Sequence, residues 1–202
     1  MKTVISQFQK NIERIRNLHQ IFRVINSGTT RAIDVSDVLR AELVLAVSAF
    51  DHYIHEIVRI GILETFQGLR TETPSFNKFS VSMNCLREAL SNPSTLSWLD
   101  DEIIDRNSWK SFQQAEKVSE AIRLISDLKI WIELGRKLGK NPEDLKSQLN
   151  LIVDRRNKIA HEADMDPSYP GVRWAIDESM VEEAVNFIEE IVATIDEILS
   201  IQ

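Results

Sequence analysis

Arg156, Asn157 and His161 stand close together in the sequence, and their side chains suit chemistry on a phosphate ester. Histidine can take or give a proton near neutral pH, and arginine can hold charge that develops on a phosphoryl group. Asn157 and His161 are four apart, so they share one face of a helix. Arg156 and His161 are five apart, about 140° around an ideal helix axis. The two would therefore converge only on a substrate that lies across the helix end, or in a distorted last turn.

A second constellation, Asp51, His52, His55 and Glu56, could hold two or three ligands of a metal such as zinc on one helix face. A zinc site would need a further ligand, and the remaining histidines are His19 and His161. Asp51 or His55 could instead support a catalytic notch, or these polar residues could be satisfied within a helical core. All three interpretations stay open at this point.

The helix that carries Arg156 has a clear start, because a capping Asn141 precedes Pro142 and two acidic residues. Its apolar stripe of Leu145, Leu149 and Ile152 is continued by Arg156. An unpaired guanidinium on an apolar face is costly. Arg156 should therefore meet a core acid, line a cleft, or lie at an interface between subunits.

Three more long helices are predicted from apolar residues at spacings of three and four. The first runs over about 3–26, and the second, capped by Asp34 or Ser36, continues to about Phe66. The second is apolar over a wide arc, so it should lie centrally, with a polar notch at Asp51 and His55. Gly61 in this helix could mark a close approach by a neighbour. The last helix should open with a capping box at Ser179.

The region 67–140 has weaker patterns, with short helices predicted at about 81–90, 95–104, 117–128 and 130–138. We interpret it as a helical subdomain inserted into a single domain that covers 1–202. Trp98, Trp109 and Trp131 lie in it. Because large aromatic side chains are usually buried, we expect them to pack in the core, and stacking on RNA bases is the alternative.

Composition limits the classes of protein to consider. The net charge of −7 argues against a protein that coats nucleic acid by bulk electrostatics, although a local basic cleft is compatible with it. No apolar run approaches the roughly 20 residues of a membrane span, and the first residues do not resemble a signal peptide. Cys85 is the only cysteine, so no intrachain disulfide forms. We expect a soluble cytoplasmic protein without a membrane partner.

The segment Arg-Arg-Asn-Lys-Ile-Ala-His at 155–161 resembles the motif of the HEPN superfamily. In that motif an arginine, often followed by Asn, Asp or His, precedes a histidine by a gap of four to six residues. Arg156 fits with Asn157 and a four-residue gap, whereas Arg155 would fit with five but without the adjacent Asn. The stretch 40–56, which ends Ala-Phe-Asp-His-Tyr-Ile-His-Glu, resembles the second helix of the branch associated with ribosomal L-PSP-type proteins. The resemblance covers about 36–66, 142–163 and the last helix.

This resemblance implies an all-α, HEPN-like bundle of four to five long helices with a helical insertion. It also implies a metal-independent endoribonuclease that uses no cofactor and leaves a 2′,3′-cyclic phosphate and a 5′-OH. Arg156 and His161 would be catalytic, Asn157, Asp51 and His55 supporting, and Arg155 and Lys158 RNA-binding.

Two such motifs commonly face each other in family dimers, so a homodimer around the helix 142–162 is expected. Such proteins act as toxins or defence effectors, with an antitoxin or regulatory protein as a possible partner. The alternative is a non-catalytic HEPN-like module that binds a partner protein or a nucleotide, which the acidic charge would suit.

Overall fold

The fold is an all-α bundle, seen in a computed structural model that describes residues 2–28 and 33–200. Within these ranges the chain forms eight α-helices and no β-strand, and an isolated bridge pairs Met165 with Arg173. None of the helices in the described part is long and apolar enough to cross a membrane. The helices are α1 (Lys2–Gly28), α2 (Ser36–Phe66), α3 (Met83–Ser91), α4 (Ser97–Asn107), α5 (Ala115–Ile122), α6 (Ile130–Leu138), α7 (Pro142–Glu162) and α8 (Glu178–Ser200).

Helix α2 is the centre of the bundle, as its wide apolar arc predicts, because it packs against α1, α4, α5, α7 and α8. Phe50, Ile54 and Ile57 are fully buried on it, and burying each such side chain stabilises the fold by about 1.5–3 kcal/mol. The predicted close approach at Gly61 is confirmed, since a Cβ there would lie 2.6 Å from Cγ2 of Ile125. A larger residue at 61 would push α2 away from the segment that contains Ile125.

The capping of the long helices follows the sequence at α7, follows it only in part at α2 and departs from it at α8. The Asn141 side chain caps α7 by accepting a hydrogen bond from the Glu143 amide (2.8 Å). At α2 the N-cap position is held by Val35, which makes no side-chain cap hydrogen bond, and Asp34, one residue earlier, accepts from the Ser36 amide (2.9 Å). The capping box predicted at Ser179 is wrong. Asp177 accepts the hydrogen bond from the Met180 amide (2.9 Å), and α8 already begins at Glu178. A carboxylate two residues earlier takes the place of the Ser179 hydroxyl.

The region 67–140 forms α3 to α6 and a short 3-10 turn at Phe76–Lys78. Its buried side chains, among them those of Ile103, Val118 and Trp131, join the core of the long helices. The helix predicted over 117–128 ends at Ile122 instead, because the chain turns so that Ile125 packs on Gly61 and Thr73 Oγ1 donates to the Arg123 carbonyl (2.8 Å). The division into a bundle and an inserted subdomain stays a prediction.

The three tryptophans of this region have different surroundings. Trp131 is buried and donates through Nε1 to the Ala115 carbonyl (2.9 Å), and the half-buried Trp98 packs edge-on against Phe66 at 5.2 Å between ring centroids. Trp109 is 79% exposed. The packing prediction is thus confirmed for two of them and wrong for Trp109, which lies in the loop that follows α4 and not on a periodic helix face.

Candidate functional site

A cleft of about 650 Å³ lies between the last two turns of α7 and the segment 109–114 that connects α4 to α5. It brings together three of the residues that the sequence singled out, because Arg156, Asn157 and His161 all line it. The opposite wall contributes residues that the sequence analysis did not assign to a site, including Lys110, Gln113, Lys117, Glu120 and Trp109.

The segment 109–114 is held in place from two sides. On α2, Asp51 accepts hydrogen bonds from the Phe112 amide through Oδ1 and from Gln113 Nε2 through Oδ2, both at 2.7 Å. On α7, Asn150 Oδ1 accepts one from the Ala115 amide at 3.0 Å. The wall of the cleft is therefore fixed to the two helices that also carry the candidate catalytic and supporting residues.

Gln113 joins this wall to Arg156. An ionised carboxylate can only accept hydrogen bonds, so Asp51 draws the Gln113 amide nitrogen and leaves its Oε1 facing the cleft. Arg156 Nη2 donates to that Oε1, and Arg156 Nη1 donates to Asn157 Oδ1 at 3.0 Å. No carboxylate of a described residue pairs with Arg156, so the core acid that could have satisfied it is not seen in this part of the chain. Two amide oxygens orient the guanidinium and leave its charge uncompensated.

His161 lies in the last turn of α7 and is exposed. Within the described part of the chain it has no hydrogen-bond partner, so both ring nitrogens can face a ligand. Arg156 and His161 line the same cleft although they are far apart around the helix axis. The cleft thus lies along the end of α7, which is the arrangement that their five-residue separation requires.

Arg155 belongs to a different cluster, which we call the Asp164 cluster and which consists of Arg40, Arg155 and Asp164. Asp164 is 1% exposed; its carboxylate is 2.5 Å from Arg155 Nη1 and 2.7 Å from Arg40 Nε. Burial lowers the pKa of Arg155, and the Asp164 charge opposes that effect. Arg155 does not line the cleft, so a contact between Arg155 and RNA stays a prediction.

The backbone beyond α7 brings the Asp164 carboxylate under that helix. Ala163 and Asp164 both have a positive φ, 52° and 59°, a conformation uncommon for residues other than glycine. The Trp174 carbonyl accepts from Arg40 Nη2 at 3.0 Å and from Arg155 Nη2 at 3.3 Å.

Lys158 Nζ lies 5.0 Å from the centroid of the Trp174 ring. A contact between Lys158 and RNA likewise stays a prediction.

Asp51 and His55 lie behind the cleft wall and do not line the cleft. The His55 ring packs on Phe112 with 4.4 Å between centroids, and His55 Nε2 is 3.7 Å from Asp51 Oδ1. Both residues contact the segment 109–114, which is compatible with the supporting role expected of them.

The described residues contain no group of three or more His, Cys, Asp and Glu side chains arranged for a metal ion. Glu56 pairs with Arg59 at 2.8 Å, and this hydrogen bond lowers the pKa of Glu56. Asp51 is bonded to Phe112 and Gln113. The zinc hypothesis from the sequence therefore has no matching cluster in this part of the chain.

Positive charge exceeds negative charge in the cleft, in an otherwise acidic protein. Lys110 donates to Asn107 Oδ1 at 3.0 Å, and burial lowers its pKa, with nearby Arg106 adding to the effect. Lys117 pairs with Glu120 at 2.8 Å. Arg156 and Lys110 thus remain without a carboxylate partner among the described residues, which makes the cleft suitable for an anion.

A family model described as RiboL-PSP-HEPN matches residues 6–200. The matched range includes the middle region, which the three stretches of sequence resemblance leave out. No curated protein and no solved structure matches the chain.

Proposed function

Because the chain belongs to the RiboL-PSP-HEPN family, we propose that it is a metal-independent endoribonuclease with Arg156 and His161 as its catalytic residues. One observation carries the proposal: a guanidinium without a carboxylate partner among the described residues and an exposed histidine line a single cleft. Arginine in such a setting binds phosphate oxygens well, since its planar donors match them.

The two side chains supply what cleavage by an internal nucleophile needs. The ribose 2′-oxygen attacks phosphorus and loses its proton, the bond from phosphorus to the 5′-oxygen breaks, and that oxygen gains a proton. His161 removes the first proton or donates the second, while Arg156 stabilises the negative charge on the phosphorane. Asn157 and Gln113 keep the guanidinium in place. The products are a 2′,3′-cyclic phosphate and a 5′-OH.

The reaction is tested with the purified protein, total RNA and an excess of chelator, followed by analysis of the fragment ends. We expect cleavage to continue, and His161→Ala to lower the rate by roughly 10²–10⁴-fold, as for loss of a general acid or base. His52→Ala is the matched control, because His52 is exposed and lies outside the cleft.

Three results would overturn the mechanism. Loss of cleavage in chelator, restored by zinc, would assign the chemistry to a metal site. Cleavage by His161→Ala at the parent rate would remove His161 from it. RNA or nucleotide binding without any cleavage would favour the non-catalytic module instead.

We further propose that the protein works as a homodimer centred on α7, in the cytoplasm, as a toxin or defence effector held in check by an antitoxin or regulatory protein. A single cleft contains one histidine, whereas the reaction moves two protons, so a second His161 from the partner would complete the site. Leu151, 69% exposed on α7, offers apolar surface for such a contact.

Mixing His161→Ala chains with Arg156→Ala chains tests the shared site. Recovery of activity in the mixture is expected only if one subunit's Arg156 serves the other subunit's His161. A monomer in light scattering that still cuts RNA would contradict the dimer.

A further inference from the structure

Trp109 is the feature of the cleft that the catalytic residues do not explain. Its side chain is 79% exposed and lines the same cleft as Arg156 and His161. An indole buries about 150–250 Å² when it packs in a core, and Trp131, in the same region of the chain, is buried. Trp109 therefore contributes little to folding and leaves a flat aromatic surface beside the cations.

The neighbours of Trp109 suit a nucleotide. Lys110 Nζ lies 5.7 Å from the centroid of the Trp109 ring and is held by Asn107 Oδ1. A positive charge is thus fixed over the exposed ring, and an aromatic ring together with a cation can bind the base and the phosphate of a nucleotide. Arg156, on the opposite wall, offers a second anion-binding group.

A second cavity of similar size shows what distinguishes the cleft. It has a volume of about 550 Å³, lies between α1 and α2, and contains Arg14 and His52 but no Trp, Tyr or Phe among its lining residues. A cavity of this size with a cationic side chain therefore also occurs elsewhere on the described surface. The cleft at α7 has in addition an exposed indole next to Lys110.

We propose that the cleft takes single-stranded RNA and that Trp109 stacks on an unpaired base next to the phosphate held by Arg156. This inference rests on the proposed function and names its substrate class. The bases of a duplex are stacked on one another, so their faces cannot reach Trp109 unless the helix opens. Lys110 and Arg156 favour an RNA strand over an apolar protein segment, because they are complementary to phosphate charge.

The test measures RNA affinity in a His161→Ala background, in which the strand stays intact. A fluorescein-labelled RNA of about 12 nucleotides, within the usual site sizes for single strands, is titrated by anisotropy as a single strand and as a perfect duplex. We expect Trp109→Ala to weaken single-strand binding by roughly 5- to 150-fold, the range for loss of one stacked base. Trp109→Phe should keep most of the affinity.

Tyr169→Ala is the matched control, because Tyr169 is 65% exposed but lies outside the cleft. It should leave the affinity unchanged. Circular dichroism confirms that each variant is folded.

The inference is overturned if Trp109→Ala binds as tightly as its parent, if the duplex binds as well as the single strand, or if the parent binds neither. An unchanged RNA affinity with loss of an oligomer in light scattering would assign Trp109 to a protein interface. Cleavage of total RNA by the wild type with no effect of Trp109→Ala would remove the stacking site and leave the nuclease. RNA binding that depends on Trp109, without any cleavage, would keep the stacking site and contradict the nuclease.

Discussion

Arg155 and Arg156 are adjacent in α7, yet they lie in two different electrostatic environments. Arg155 is fixed against a buried carboxylate that it shares with Arg40. Among the described residues, the Arg156 side chain donates hydrogen bonds only to the side-chain amide oxygens of Gln113 and Asn157. Successive residues of a helix are turned by about 100°, so one arginine faces the loop after α7 and the other faces the cleft. The partner decides the role: a carboxylate makes an arginine part of the fold, whereas neutral acceptors leave its charge available to an anion.

The largest effect is expected from breaking the Asp164 cluster. Asp164→Ala leaves Arg40 and Arg155 without their shared carboxylate in a buried position, and should lower the free energy of unfolding by about 3–5 kcal/mol. Urea denaturation measures this. Lys140→Ala, which removes an exposed ion pair with Glu190, is the control and should change stability by less than about 1 kcal/mol. If both substitutions lowered the free energy of unfolding equally, burial would not distinguish the Asp164 cluster from the exposed ion pair of Lys140 and Glu190.

Arg156→Ala, in contrast, should lower activity and leave stability almost unchanged. Cleavage should fall by roughly 10²–10³-fold, as for loss of a donor that stabilises charge in the transition state. The free energy of unfolding should change by about 1 kcal/mol or less, because no buried carboxylate loses its partner. Rate assays with matched urea curves check both parts. A variant that unfolds while keeping its specific activity would make Arg156 a structural residue like Arg155.

A smaller effect is expected from Gln113→Leu, which removes one of the two acceptors that orient Arg156. A hydrogen bond to a charged group contributes about 1.5–3 kcal/mol, which corresponds to a loss of roughly 10- to 150-fold in kcat. KM should change little, because Lys110 and Arg156 still attract the strand. Gln114→Leu is the control, since Gln114 also lines the cleft but is exposed and caps nothing with its side chain. A rise in KM alone would make Gln113 a binding residue and not a positioning one.

Local signals in the sequence were sufficient for the long helices and for one wall of the site. The cap at Asn141, the end of α2 at Phe66 and the alignment of Arg156, Asn157 and His161 depend on residues within a few positions of one another. The sequence does not indicate Gln113, because it lies in a connecting segment without periodicity and takes its role from long-range contacts with Asp51 and Arg156. The sequence singles out Trp109 only together with Trp98 and Trp131, and composition alone does not show which of the three stays exposed. The sequence also does not show that Arg155 and Arg156 have different electrostatic environments, because this depends on where the backbone after Ala163 places the Asp164 carboxylate.

The two walls of the cleft are 43 residues apart in the chain. During synthesis, which proceeds from the N-terminus, the segment 109–114 leaves the ribosome well before the end of α7. A growing or truncated chain that stops short of Arg156 carries Trp109 and Gln113 but lacks both Arg156 and His161. The cleft is therefore one of the later features of the molecule to form, and under the proposed function only chains that have completed α7 would be able to cut RNA.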